Sequence, residues 1–177
     1  MIEEARYVAK AVIVGDYSVG KTSLVRRFVE GTFEHDYKPS IGVNITMKVV
    51  DAGGMKLKFN LFDAGGQERF EPIRKKYYRG TQAVIYVFDI TRAESAVSIE
   101  KRWMVEVEAV IGRDYARIVL ANKADLPQRE VSEYAGRQVA ERINAAYYET
   151  SALDGRNVNE AFTELAAIIL RKHFSEG

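Results

Sequence analysis

The sequence contains no cysteine among its 177 residues. This absence excludes disulfides, cysteine-ligated zinc, thiol catalysis and any lipid attached through a cysteine of this chain. The formal net charge is only +1, so no bulk basic field directs the protein to nucleic acid or to an acidic membrane. The sequence also lacks a membrane-spanning apolar run and a signal-peptide pattern, and Ile2 stands where N-myristoylation requires glycine. We therefore expect a cytoplasmic protein with no lipid anchor in this chain, and transient membrane association stays open.

The pattern of apolar residues predicts the fold. Near-continuous apolar runs, typical of strands buried on both faces of a parallel sheet, alternate with stretches of helical periodicity. Two partly alternating runs joined by the turn-rich residues 51–54 predict a hairpin. The predicted strands are 7–14, 43–50, 55–62, 83–88, 118–121 and, more weakly, 147–148; the predicted helices are 21–30, 95–111, 132–144 and 158–172. We expect a single α/β domain spanning residues 1–177, with a six-stranded, mostly parallel sheet, one antiparallel edge strand and helices on both faces.

One stretch combines two glycines, a lysine and a threonine where an apolar strand ends and a helix begins. Residues 15–22 (GDYSVGKT) satisfy the G-x-x-x-x-G-K-[ST] phosphate-loop pattern. The glycines let the backbone turn tightly so that consecutive N–H groups surround phosphate oxygens, and the following helix adds its positive N-terminal end. Lys21 would reach the β- and γ-phosphates, and the Thr22 hydroxyl would take a place on Mg²⁺. A chance match is the alternative, but the required strand and helix flank the motif here.

A second polar segment points to the base of the nucleotide. Residues 122–125 (NKAD) directly follow the apolar run 118–121, at the strand edge where open α/β sheets bind ligands. The carboxylate of Asp125 can accept two parallel hydrogen bonds from the N1–H and N2–H₂ groups of guanine. Adenine offers neither, and the unpaired carboxylate would carry a penalty of about 1–3 kcal/mol. Taken alone, however, the four residues fit a polar strand-to-loop transition with a solvated lysine equally well.

Taken together, these motifs resemble the Ras superfamily of small GTPases, most nearly its Rab branch. The resemblance extends from residue 7 to about residue 172. It rests on the phosphate loop, the second-switch sequence DAGGQERF at 63–70, the guanine motif at 122–125 and the closing loop ETSAL at 149–153. The stretches IGV at 41–43 and YYRG at 77–80 are similar to Rab sequences as well. The resemblance implies the P-loop NTPase fold of the small-GTPase type.

The resemblance also implies which residues bind GTP and GDP. Phe33 would stand edge-on to the guanine, although a lone phenylalanine is more often a core residue. Tyr37 would close over the γ-phosphate, the Gly66 N–H would bond to it, and the Ala152 N–H would reach guanine O6. The implied nucleotide-binding residues are Asp16, Tyr17, Ser18, Val19, Gly20, Lys21, Thr22, Ser23, Phe33, Tyr37, Ser40, Gly66, Asn122, Lys123, Asp125, Ser151, Ala152 and Leu153.

Metal binding and catalysis are implied in the same way. Mg²⁺ would be held by the hydroxyls of Thr22 and Ser40 and, through water, by Asp63. Gln67 would orient the attacking water, and Lys21 would share the charge that develops on the phosphate oxygens. Loss of the γ-phosphate would then relax two switch segments, residues about 33–43 and 63–79.

The partners follow from that cycle. We expect an exchange factor, effectors that read the two switch segments, and a GTPase-activating protein, because the sequence shows no inserted helical domain that would supply an arginine in cis. Guanine nucleotide is the expected small-molecule ligand, and the protein is expected to be a monomer that does not bind nucleic acid.

Four departures from the family pattern qualify these expectations. Tyr17 stands where Ras has glycine and Rab proteins often have serine; Ser40 replaces the usual threonine; and Ala64-Gly65 replaces the common Thr-Ala, as in the Arf branch. The prenylated cysteines of a Rab tail are missing, which fits either a shortened sequence or an archaeal or divergent member without a lipid anchor.

Three functions remain to be compared. The favoured one is a GTP-hydrolysing regulatory switch, supported by Gln67. The second is a nucleotide-locked interaction module with negligible turnover, because the Tyr17 ring could crowd the space that Gln67 and an arginine finger need; alternatively, that ring swings out to solvent. The third, a P-loop ATPase or kinase, is disfavoured by Asp125.

Overall fold

Six strands form one sheet in the computed structural model, which describes residues 5–35 and 42–177. In chain order they are β1 (Tyr7–Val14), β2 (Val43–Ala52), β3 (Met55–Ala64), β4 (Ala83–Asp89), β5 (Ala116–Asn122) and β6 (Ala146–Glu149). Their order across the sheet is β2-β3-β1-β4-β5-β6, and only the β2–β3 pair among these neighbours is antiparallel. The predicted fold class is therefore confirmed, and every predicted strand after the first is longer in the structure.

The predicted hairpin joins β2 to β3 through a two-residue turn. Gly53 and Gly54 both have positive φ, 67° and 88°, as a turn of this kind requires. Because the two strands pair as far as Ala52 and Met55, the turn is shorter than the predicted linker 51–54.

The helices follow the prediction with one omission. They are α1 (Lys21–Glu30), α2 (Glu71–Tyr78), α3 (Ala93–Ser98), α4 (Met104–Ile111), α5 (Glu133–Arg142) and α6 (Val158–Ser175). A 3₁₀ turn, Glu68–Phe70, precedes α2, and a π-helical segment, Ile99–Trp103, joins α3 to α4 so that 93–111 is helical throughout. Helix α2 was not predicted. Its buried residues are Arg74 and Tyr78, and because one of them is charged, the sequence shows no apolar stripe there.

The helices cover both faces of the sheet. On one face α1 and α6 contribute Phe28 and Phe162, whose rings stack with centroids 3.9 Å apart above Phe59 of β3. On the other face Trp103 and Val139 pack with Tyr86 of β4. Burying each of these large apolar side chains contributes about 1.5–3 kcal/mol to the stability of the packed sheet. Within residues 5–35 and 42–177, no helix is both long enough and apolar enough to cross a bilayer.

Parallel pairing brings the polar strand ends to one edge. Asp63 of β3 lies beside Ile13 of β1, just before the phosphate loop, and Asp89 of β4 pairs with Asn122 of β5. All three polar side chains are almost fully buried. The segments that carry the sequence motifs therefore meet at the carboxyl ends of the strands.

Candidate nucleotide-binding site

A cleft of about 440 Å³ opens at this edge, a size typical of small-molecule sites. The predicted site residues that line it are Tyr17, Ser18, Gly20, Lys21, Thr22, Ser23, Phe33, Gly66, Asn122, Lys123, Asp125, Ala152 and Leu153. Five others, Asp16, Val19, Asp63, Gln67 and Ser151, lie outside the lining, and Tyr37 and Ser40 lie outside the described residues. Arg26, Glu34, His35, Gly65 and Leu126 line the cleft without having been predicted.

Lys21 turns back onto the phosphate loop that it follows. Its Nζ donates to the carbonyls of Gly15 and Asp16 at 2.9 and 3.1 Å. Burial lowers the pKa of this amine to about 8, while the carboxylate of Asp63 acts to raise it. The buried ammonium thus has carbonyl partners that it can exchange for phosphate oxygens.

Ser18 occupies a conformation that sequence reasoning did not identify. Its φ of 68° is left-handed, which costs a residue with a Cβ about 1–2 kcal/mol. Its carbonyl accepts a hydrogen bond of 2.9 Å from Lys123 Nζ, which also lies 2.9 Å from Asp89 Oδ2. Lys123, the residue after β5, therefore links the phosphate loop to the carboxyl end of β4.

Tyr17 lines the cleft and is 40% exposed, while its carbonyl accepts a bond of 2.8 Å from Arg92. Gln67 is half-buried and does not line the cleft. Crowding of Gln67 by the Tyr17 ring therefore stays a prediction.

The side chain of Asp16 is engaged away from the cleft. Its carboxylate accepts hydrogen bonds of 2.8 Å from Trp103 Nε1 and 2.8 Å from Ser98 Oγ. In this structure Asp16 therefore anchors the phosphate loop to the helical segment 93–111.

Two of the residues expected to hold Mg²⁺, Thr22 and Asp63, fit that ion. Thr22 Oγ1 donates to Asp63 Oδ2 at 2.6 Å, whereas the buried Asp63 Oδ1 has no hydrogen-bond partner among the described residues. Burial raises the pKa of Asp63, opposed by the Thr22 hydroxyl and by Lys21. Mg²⁺ takes oxygen ligands and needs only one or two protein groups beside phosphate oxygens and water. A hydroxyl beside an unpaired carboxylate oxygen is such a donor set.

Gly66 packs directly against the phosphate loop. A Cβ on this residue would overlap the Gly15 carbonyl oxygen and would lie 2.8 Å from the Tyr17 nitrogen. Glycine is therefore required here by close backbone approach. Gly20 is constrained similarly, because a Cβ there would overlap the amide of Asn122.

The base end of the cleft is held by hydrogen bonds between its own segments. The buried Asn122 donates to the Val19 carbonyl at 3.0 Å and accepts from Thr150 Oγ1 at 3.1 Å. Ser151 Oγ donates to Asp125 Oδ1 at 2.7 Å, so Ser151 supports the carboxylate from outside the lining.

Arg27 of α1 supports the closing loop, a role that sequence reasoning missed. Its guanidinium donates to the carbonyls of Ala152 and Leu153 at 2.8 and 2.6 Å. No local pattern reveals this contact, because the partners lie more than a hundred positions away.

A sheet of this order, with a phosphate loop after β1 and a polar motif after β5, has the P-loop fold of the small-GTPase type. The Ras family model matches residues 10–171. Ras-related protein RABA6b of Arabidopsis thaliana is 40% identical over 164 residues, covering 92% of this chain and 71% of the relative. Mouse Ras-related protein Rab-15 is 35% identical over 177 residues, covering 99% and 83%. The chain belongs to the Ras family, close to its Rab branch, as the motifs predicted.

Proposed function

We propose that the protein binds GDP and GTP with Mg²⁺ and hydrolyses GTP, and that it acts as a Rab-like molecular switch in trafficking or signalling. The observation that carries this proposal is the carboxylate of Asp125, which lines the same cleft as the phosphate loop and is oriented by Ser151. A carboxylate held in this way suits guanine and would be left unpaired by adenine.

The proposed binding step begins with an exchange of partners. Lys21 leaves the carbonyls of Gly15 and Asp16 for the β- and γ-phosphates, so its ammonium stays paired throughout. Thr22 directly and Asp63 through water would hold Mg²⁺, which when bound neutralises charge on the phosphate oxygens. Ser40 is proposed as the further ligand supplied by the first switch.

The proposed hydrolysis depends on the second switch. The Gly66 N–H stabilises charge on the γ-phosphate oxygens, and Gln67 orients a water for in-line attack. Release of phosphate frees residues about 33–43 and 63–79, which effectors then distinguish. An exchange factor and an activating protein with an arginine finger complete the proposed cycle. We extend the proposal to a monomer in which residues 1–177 form one GTPase domain, located in the cytoplasm.

A second candidate is a nucleotide-locked module that binds without turnover. It is favoured by Tyr17, which lines the cleft while Gln67 does not. Binding and single-turnover assays separate the candidates: GDP and GTP binding with Mg²⁺-dependent release of phosphate supports the switch, and binding without release supports the module. Equal affinity for ATP and GDP contradicts both.

A further inference from the structure

Arg74 of α2 is a fully buried cation in the second switch, 1% exposed. Burying a charge is costly unless all its donors are paired. The Nε and Nη2 atoms of Arg74 each lie 2.8 Å from one carboxylate oxygen of Glu106 on α4. Tyr78 donates to the same carboxylate at 2.6 Å. The ion pair is thus bidentate and shielded from water.

The remaining nitrogen of Arg74 donates hydrogen bonds to the backbone of the second switch. Its Nη1 donates to the carbonyl of Gly65 at 2.8 Å and to that of Gln67 at 2.7 Å. Arg102 donates to the carbonyl between them, that of Gly66, at 3.2 Å. Two arginines therefore hold three consecutive carbonyls.

Trp103 joins these arginines to the phosphate loop. The guanidinium carbons of Arg74 and Arg102 lie 4.8 and 4.4 Å from the centroid of its ring system, within cation–π range. Its Nε1 donates to Asp16 at 2.8 Å. Arg102 and Trp103 both belong to the π-helical segment 99–103, and such interruptions of α-helices are frequent at functional sites. We call Arg74, Arg102, Trp103 and Glu106 the switch clamp.

Because the peptide bond is planar, the hydrogen bond from Arg74 to the Gly65 carbonyl also orients the Gly66 N–H. The carbonyl of Gly65 and the N–H of Gly66 belong to one trans peptide unit and point in opposite directions. Arg74 therefore fixes where the Gly66 N–H points. The two glycines line the cleft and have no side chain to restrict this peptide, so ordering it costs more entropy than for other residues. The bonds from Arg74 offset that cost.

We infer that Arg74 is a positioning residue for GTP: anchored by Glu106, it holds the peptides around Gly66 so that the Gly66 N–H and Gln67 meet the γ-phosphate. This inference rests on the proposed function. It goes further by assigning the orientation of the Gly66–Gln67 segment toward the γ-phosphate to a buried ion pair outside the cleft.

The test compares GDP and GTP-analogue affinity, together with single-turnover hydrolysis, in the full chain. The variant Arg74→Met/Glu106→Leu removes both charges at similar volume, so it avoids leaving one ion buried and unpaired. GDP affinity should stay within about twofold, GTP-analogue affinity should fall about tenfold or more, and the hydrolysis rate should fall about a hundredfold. Arg74→Lys retains a cation beside Glu106 but cannot hold both carbonyls, and it should show the same selective loss.

Arg117 supplies a matched control. It is another largely buried arginine that donates to two carbonyls, those of Ile143 and Arg113, and lies 4.3 Å from the ring centroid of Tyr115. Arg117 is the second residue of β5, so it lies near the amino ends of the strands, whereas the cleft lies at their carboxyl ends. Arg117→Met should lower the melting temperature and leave the ratio of GTP-analogue to GDP affinity unchanged.

The outcomes separate the inference from the proposed function. If the unmodified protein binds and hydrolyses GTP but the two Arg74 variants keep its affinity ratio and rate, Arg74 has no positioning role. Equal loss of GDP and GTP affinity would make the switch clamp merely structural and also overturn the inference. If the unmodified protein does not bind GTP, the proposed function fails first and the inference fails with it.

Discussion

The base end and the phosphate end of the cleft differ in whether their hydrogen bonds involve the groups that a ligand would need. At the base end, Asn122 bonds to Val19 and Thr150, while Arg27 holds the closing loop. We expect a bound base to leave these contacts intact. At the phosphate end, Lys21 is bonded to carbonyls of its own loop and the Thr22 hydroxyl to Asp63. Those bonds occupy the groups that phosphate and Mg²⁺ would need.

This difference assigns separate tasks to the two ends. Because the base end is preorganised, it should discriminate between bases equally in the diphosphate and triphosphate states. Because the phosphate end must exchange partners, changes there should alter the two states unequally. Substitutions at each end therefore test whether the two ends have these separate tasks.

The largest effect is expected from Asp125→Asn at the base end. The carboxylate that would pair with guanine N1–H and N2–H₂ becomes an amide, which suits the C2 carbonyl of xanthine. GDP affinity should fall by about a hundredfold or more, since charge-assisted hydrogen bonds contribute about 1.5–3 kcal/mol each. Affinity for XDP should rise, and titrations with labelled GDP, XDP and ATP measure both changes. A variant that keeps its preference for GDP over XDP would refute the guanine assignment.

At the phosphate end, Ser40→Ala should weaken binding of a GTP analogue about tenfold and leave GDP binding nearly unchanged. Ser40, which lies outside the described residues, is expected to join the ion only in the triphosphate state. Thr22→Ala is the matched control and should weaken both nucleotides, because Thr22 is proposed as a ligand in both. An equal effect of Ser40→Ala on both nucleotides would mean that Ser40 is a solvated loop residue.

A smaller, several-fold effect is expected from Tyr17→Gly or Tyr17→Ser. If the ring crowds the space beside the γ-phosphate, at least one of these substitutions should raise the rate of single-turnover hydrolysis, since misplacement by about 1 Å can cost a hundredfold. Nucleotide affinity should change little, because the backbone and Lys21 hold the phosphates. Assays with and without a candidate activating protein test this. Unchanged or lower rates in both variants would show that Tyr17 does not crowd the site.

The smallest effect concerns Ser18, whose φ of 68° favours glycine. Ser18→Gly should raise the free energy of unfolding by about 0.5 kcal/mol, because relief of strain exceeds the added entropy of the unfolded chain. Ser18→Ala keeps the Cβ and should bring no gain. Urea unfolding of nucleotide-free protein measures both, and an equal gain in both variants would contradict the strain argument.

Contiguous motifs made most of the lining of the candidate cleft predictable. Residues 15–22 and 122–125 are contiguous motifs, so each can be recognised within a single segment of the sequence. The alternation of apolar runs with helical patterns predicted the sheet. Helix α2 was missed because its buried face carries Arg74, a residue that hydrophobic periodicity scores as exposed. The partner of Arg74 is 32 positions away and that of Arg27 is 125 away, so neither contact leaves a local pattern. The strain at Ser18 is invisible as well, because a serine in this loop looks ordinary.

The proposed GTPase switch is tested most directly by single-turnover hydrolysis with the unmodified protein, loaded with GTP or ATP and started with Mg²⁺ or held in EDTA. We expect GTP to be retained and converted to GDP and phosphate only with Mg²⁺, and ATP not to be retained. Retention of ATP as well as GTP, or bound GTP that stays intact in Mg²⁺, would contradict the proposed switch.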